Sequence, residues 1–110
     1  MADPEFVLGY VTTPNRESAL SIAHCLVGER LAACANILPG MTSVYRWKGQ
    51  TQVDDECVLI LKTRRSLTER LQARVLELHG YECPCVVFLP VVDGNPAYLA
   101  WLGSETEQGR

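Results

Sequence analysis

The chain has 110 residues, 47% of them hydrophobic and 21% charged, and a formal net charge of −3 at pH 7. That composition describes one ordinary globular domain with enough apolar residues for its own core. No stretch approaches ~20 consecutive apolar residues, so no membrane-spanning helix is expected, and the acidic balance excludes a general nucleic-acid binder, which needs a broad basic face.

The first residues, Met1-Ala-Asp-Pro-Glu-Phe6, read as a cloning-derived or disordered segment ahead of a domain over 7–102, so a native leader is not excluded. Phe6 to Val11 is a β-rich run that ends at Thr12-Thr13-Pro14. A helix follows, capped by Thr13 or Asn15, with Pro14 suited to its first position. Ala19, Ile22, Ala23, Leu26 and Val27 recur at the spacing of one buried helical stripe. From Ala32 the chain reads as one long strand broken by Pro39-Gly40, a bulge or bend on a sheet edge. Lys48-Gly49 supplies a hairpin turn. The returning strand runs from Thr51 to Thr63, and its apolar run Cys57-Val-Leu-Ile-Leu61 suggests cover on both faces.

Ser66-Leu-Thr-Glu69 matches a capping box, and Leu67, Leu71, Val75 and Leu78 form the stripe of the helix it would open. His79 falls in the last turn and Gly80 just past it, as helix C-termini favour. Val86 to Leu89 is a fourth strand, and Asn95-Pro96 caps a terminal helix over 97–102, before a flexible polar tail, 103–110. The order strand, helix, strand, strand, helix, strand, helix defines an α+β split βαβ plan. It is ferredoxin-like, a four-stranded antiparallel sheet with an extended central hairpin and helices on one face. The hairpin strands are about 13 to 16 residues long, where 5 to 6 is usual. Its distal half carries Val44, Tyr45 and Trp47, which a lone chain leaves in water. An obligate oligomer is expected.

Five cysteines, at 25, 34, 57, 83 and 85, are an odd number set mostly in apolar runs. They read as reduced thiols in a cytoplasmic setting rather than a disulfide framework. Five of the ten basic residues, Lys62, Arg64, Arg65, Arg70 and Arg74, fall in one window, either as a solvated face or as an anion site at a helix N-terminus.

Several ordered blocks carry a resemblance. Glu29 through Gly40, Thr42 through Gly49, Leu61-Lys-Thr63, Glu77-Leu-His79, Leu89-Pro-Val91 and Gly94 through Leu99 resemble the CutA divalent-cation-tolerance family over about residues 7 to 102. The resemblance implies a ferredoxin-like homotrimer whose long hairpins reach neighbouring subunits, similar in plan to the PII-type signalling proteins. It implies a role in divalent-metal tolerance, copper above all, with no established enzymatic activity and no required cofactor; mammalian relatives are linked instead to acetylcholinesterase assembly. Copper in the family is assigned to a first-strand cysteine, a histidine and a glutamate. Carried over, the histidine is His79, the first-strand position near Val11 has no thiol, and Cys85 stands in place of the glutamate.

The segment His79-Gly-Tyr-Glu-Cys-Pro-Cys85 therefore has two readings. His79, Cys83 and Cys85, with Glu82 adding an oxygen, are candidate ligands for copper or another soft or divalent ion, because thiolate and imidazole suit such metals and residues two apart on an extended strand share a face. Equally, the segment ends a helix and starts a core strand, with cysteine packing as a small hydrophobe. A second candidate is an inter-subunit cleft of Tyr45, Trp47, Lys62, Tyr81, Tyr98 and Trp101, apolar-walled with one cation and suited to a small anionic ligand; the competing reading is an interface core. Function then divides between a trimeric metal-response protein and a PII-like small-ligand sensor or interaction scaffold. An acylphosphatase-like enzyme is disfavoured, because Thr12-Thr-Pro-Asn-Arg16 lacks a glycine-rich anion cradle.

Overall fold

The computed structural model describes residues 5–107. Its elements run β1 (Phe6–Thr13), α1 (Arg16–Gly28), β2 (Cys34–Trp47), β3 (Gln50–Arg64), α2 (Thr68–Leu78), β4 (Val86–Pro90) and α3 (Pro96–Ser104). The sheet order is β2-β3-β1-β4 with every pair antiparallel, which is the expected split βαβ plan.

Alternation along the strands divides the sheet into two faces. Val11 of β1, Cys57, Leu59 and Leu61 of β3, Ala35 and Ile37 of β2 and Val86 and Phe88 of β4 meet the stripes of α1 (Ala19, Ile22, Ala23, Leu26) and α2 (Leu71, Val75) in one core. Helices and strands thus bury their apolar sides against each other, the driving term of the fold. Two buried hydroxyls secure the ends of this layer. Thr63 Oγ1 donates to the Leu31 carbonyl at 2.6 Å and Thr13 Oγ1 to the Asn15 carbonyl at 3.1 Å.

The third helix departs from the expected arrangement. A separate cluster of Phe6, Ala33 and Leu102, with Val91, Tyr98 and Leu99, places α3 on the opposite face of the sheet. Phe6 alternates with Val7 and so points away from the main core. The sequence order alone does not distinguish the two faces for a helix that follows the last strand.

Other local differences have plain causes. Asn15 is the N-cap of α1, its Oδ1 accepting from Ser18 N at 2.8 Å, so Pro14 precedes the cap instead of opening the helix. Val27 lies on the solvent side of α1, off the buried stripe. The capping box does not form: Arg65–Leu67 is a 3-10 turn, α2 starts at Thr68, and Leu67 at its N-cap is buried. The leucine is needed in the core, and the tighter turn delivers it there while shifting Ser66 out of capping position. Gly80 is not a left-handed C-cap, because α2 already ends at an extended His79 (φ −83°, ψ 143°). At α3, Pro96 takes the first turn as expected, but Asn95 makes no side-chain cap bond.

The two terminal segments read from the sequence extend further into the structure than expected. Phe6 opens β1 and is buried; residues 1–4 of that leading segment lie outside the described residues. Gly103 and Thr106, assigned to the polar tail, are also buried. Arg64 gathers them, Nη2 donating to the Gly103 carbonyl at 2.6 Å and Nε to Thr106 Oγ1 at 2.9 Å. Residues 108–110 of the tail lie outside the described residues.

The hairpin of β2 and β3 dominates the shape, a particle 43 Å in its longest dimension. A strand rises ~3.3 Å per residue and a helix ~1.5 Å, so the 15-residue β3 outruns the 13-residue α1 and the distal hairpin projects past the helices. Its turn has Lys48 at φ 50° and Gly49 at φ 81°, the left-handed pair of a two-residue hairpin loop. Halfway down, the register shifts between Leu38 and Met41, with Gly40 at φ 82°. This Pro39–Gly40 bulge has a consequence for function. Leu38 pairs with Val58, but Met41 pairs with Glu56, so one extra residue on β2 exchanges its faces. Beyond the bulge Met41, Ser43, Tyr45 and Trp47 lie on the face opposite α1 and α2, the one that carries α3 nearer the other end; without it Val44 would take that side instead.

Candidate functional site

The face opposite α1 and α2 holds a cavity of about 740 Å³ between the distal hairpin, the end of β1 and the segment joining α2 to β4. That connecting segment, residues 79–85, is a strap tied at three points. His79 Nε2 donates to the Thr12 carbonyl at 2.7 Å, while its Nδ1 accepts from Tyr81 N–H at 3.1 Å. The second bond requires an unprotonated Nδ1 and so sets the tautomer. Tyr81 Oη then donates to Glu56 Oε2 of β3 at 2.7 Å. At the tip, Lys48 and Glu82 form an exposed ion pair at 3.7 Å, an attachment worth little by itself.

The cavity wall combines phenols, carboxylates and sulfur. Tyr10, Tyr45, Trp47 and Tyr81 supply aromatic surface, Glu56 and Glu82 supply charge, and Met41, Cys83 and Cys85 supply sulfur. Tyr45 Oη donates to Asp54 Oδ2, which makes a second phenol–carboxylate pair beside Tyr81–Glu56. Burial and the bond to Glu56 push the Tyr81 hydroxyl well above the usual tyrosine range, and the bond to Asp54 raises that of Tyr45. Burial, then the nearby Glu56 carboxylate and the Cys83 thiol, raise Cys85.

The Tyr81 shift has a definite sign. A hydroxyl that holds its proton more tightly in the folded state stabilises below the unfolded-state pKa of about 10 and loses that contribution as pH rises through the folded value. Melting followed from pH 8 upward is expected to show a decline that Tyr81→Phe removes. An identical alkaline decline in the variant would show that Tyr81 does not carry it.

Of the three metal candidates, Cys83 and Cys85 open onto this cavity, Cys83 exposed and Cys85 half-buried. His79 does not join them, since both ring nitrogens are engaged in holding the strap. Among the described residues no group of three His, Cys, Asp or Glu side chains is placed to hold a metal ion. The six cleft residues divide in two. Tyr45, Trp47 and Tyr81 line the cavity, but Lys62 lies 5.3 Å from the Tyr98 ring and Tyr98 stacks on Trp101, at α3. The cavity is therefore acidic rather than cationic. Nor does the basic window form an anion site, because Arg70 pairs with Glu107, Arg74 with Glu29, and Arg64 binds the α3 terminus.

Sequence reading missed Tyr10, Met41, Asp54 and Glu56. A signal existed for three of them. Once the turn is placed at Lys48-Gly49, counting back along the hairpin pairs Tyr45 with Gln52, Ser43 with Asp54 and Met41 with Glu56.

A split βαβ sheet with an outsized hairpin and a strap closing a cavity against it defines a class, and comparison supplies the family. The CutA1 divalent ion tolerance protein profile matches residues 7–105. The divalent-cation tolerance protein CutA of Thermus thermophilus is 48% identical over 96 residues, covering 87% of this chain and 93% of its own. The chloroplastic CutA protein of Arabidopsis thaliana is 48% identical over 91% of this chain, which spans only 55% of that longer relative. In structure, CutA1 from Oryza sativa superposes with a TM-score of 0.93 at 43% identity, covering 97% of this chain and 98% of its own. This chain belongs to the CutA1 divalent ion tolerance family.

Proposed function

We propose that the protein serves divalent-metal tolerance as a homotrimer whose hairpin clefts take up a soft metal ion, copper first, through the Cys83 and Cys85 thiolates. One observation carries this reading: two sulfurs, separated in sequence by Pro84 alone, share the wall of an acidic cavity. A two-thiolate donor set suits Cu(I) and does not suit hard cations, which need six or more oxygens. His79 is assigned the strap, not the metal. The raised Cys85 thiol must lose its proton on binding, so uptake strengthens as pH rises.

The trimer rests on apolar surface that one chain leaves uncovered. Leu38, Val87 and Leu89 are 55%, 50% and 51% exposed and lie on the face opposite α1 and α2, which also presents the hairpin aromatics Tyr45 and Trp47. A monomer seldom exposes such a stretch. We read the cavity as a binding site rather than a catalytic one, because its carboxylates are already engaged, Glu56 with the Tyr81 hydroxyl and Glu82 with Lys48. The five free cysteines support a reducing, cytoplasmic setting, although the Arabidopsis relative is named chloroplastic.

Anaerobic Cu(I) titration tests the proposal. Wild type is expected to bind one ion per chain in competition with a chelator, and the Cys83→Ser/Cys85→Ser variant is expected to lose that binding. Unchanged stoichiometry in the variant contradicts the assignment.

A further inference from the structure

We infer that Cys83 and Cys85 are also a redox-responsive dithiol: a small-molecule disulfide of the glutathione type, admitted to the hairpin cleft, oxidises them to an intramolecular disulfide across Pro84. The inference does not rest on the metal reading, since it needs only the thiols and access to them.

Position selects this pair from the five cysteines. Cys57 is buried in the main core, Cys25 sits on α1, and Cys34 lies on β2 at the far edge of the sheet from β4. Only Cys83 and Cys85 line the cavity, whose ~740 Å³ is within the range of small-ligand sites. Residues two apart on a fully extended strand are ~6.6 Å apart, at the upper edge of the Cα separation a disulfide permits. Residues 81–83 are bent and the strap is neither helix nor strand, so the backbone is free of a ladder that would hold the pair extended. A ring closed over so few atoms is strained, and strained disulfides are the readily reduced, regulatory ones.

Exposure assigns the order of events. Cys83 is exposed and Cys85 is half-buried, so the incoming disulfide meets Cys83 first. The Cys83 thiolate attacks one sulfur of the small disulfide, forms a mixed disulfide and expels one thiolate, which takes up the released proton. Cys85 loses its proton to solvent and attacks the Cys83 sulfur, closing the protein disulfide and expelling the second thiolate. The protein gives up two electrons and two protons, and one disulfide becomes two thiols. Closure removes both sulfurs as metal donors, and the strap that carries them is already tied to β1 and to Glu56 of the hairpin.

The test equilibrates the assembled, full-length protein with graded mixtures of reduced and oxidised glutathione, with a chelator present to exclude metal-catalysed oxidation. Acid-trapped samples are then mapped by mass spectrometry. The expected product is a loss of two hydrogens on the peptide containing Cys83 and Cys85, reversed by excess reduced glutathione. The Cys85→Ser variant is expected to accumulate a glutathione adduct at Cys83. Phenylarsine oxide, which requires neighbouring thiols, is expected to add once to reduced wild type and not to either single serine variant. A persistent glutathione adduct on wild type without ring closure, a disulfide between chains, or oxidation confined to Cys25 or Cys34 would overturn the inference, and the wild-type map decides it even where a variant folds poorly.

Discussion

Leu89→Asp is expected to break the assembled protein into single chains of 12.2 kDa, read by sedimentation. Leu89 pairs with Leu8 on the face opposite α1 and α2 and belongs to neither core cluster. A lone chain therefore loses little by the change, because the new carboxylate stays in water. Between protomers it would be desolvated without a partner, at a cost of several kcal/mol. Leu76→Asp, on the outer side of α2, gives the control, since the same charge added there leaves the mass unchanged. If Leu89→Asp sediments like wild type, the face opposite α1 and α2 is not the interface.

The largest loss of stability is expected from Leu59→Ala. Leu59 is fully buried at the centre of the sheet, flanked by Val11 of β1 and Ile37 of β2, beneath the stripes of both α1 and α2. Truncation removes its transfer free energy and leaves a cavity that a central strand cannot close, for about 2–5 kcal/mol. Leu76→Ala is expected to cost no more than about 0.5 kcal/mol, as surface changes do. Denaturant midpoints at equal chain concentration provide the comparison, because oligomer stability depends on concentration. Equal midpoints for the two variants would show that the core does not lie between these layers.

The elements legible in the sequence were those whose signal is local and repeated. The α1 stripe apart from Val27, the α2 stripe, the Lys48-Gly49 turn and the Pro39-Gly40 break all appear where periodicity and turn chemistry place them. Single-residue signals at helix ends fared worse. Ser66 and Glu69 have the right spacing for a box, but burial of Leu67 selected a 3-10 turn. Arg64 likewise bridges to residues 39 and 42 positions away, so a tail that reads as polar is anchored.

The site was legible in part for the same reason. Cys83 and Cys85 share one cavity, although the segment that carries them is bent rather than an extended strand. His79 was a plausible ligand by residue type, and only its bond to Thr12, 67 positions earlier, reveals that its ring holds the strap. The acidic character of the cleft depends on strand register beyond a bulge, and composition carries no trace of it. Lys62, near the aromatics in the expected cleft, is drawn instead to Tyr98 of α3.

The paired sulfurs at the hairpin cleft are the proposed metal contact. Anomalous diffraction at the copper edge, from crystals grown anaerobically with one Cu(I) per chain, tests it most directly. A single strong peak bridging Cys83 Sγ and Cys85 Sγ is expected. A peak at His79 without the thiols, or copper distributed over Cys25 and Cys34, would contradict it.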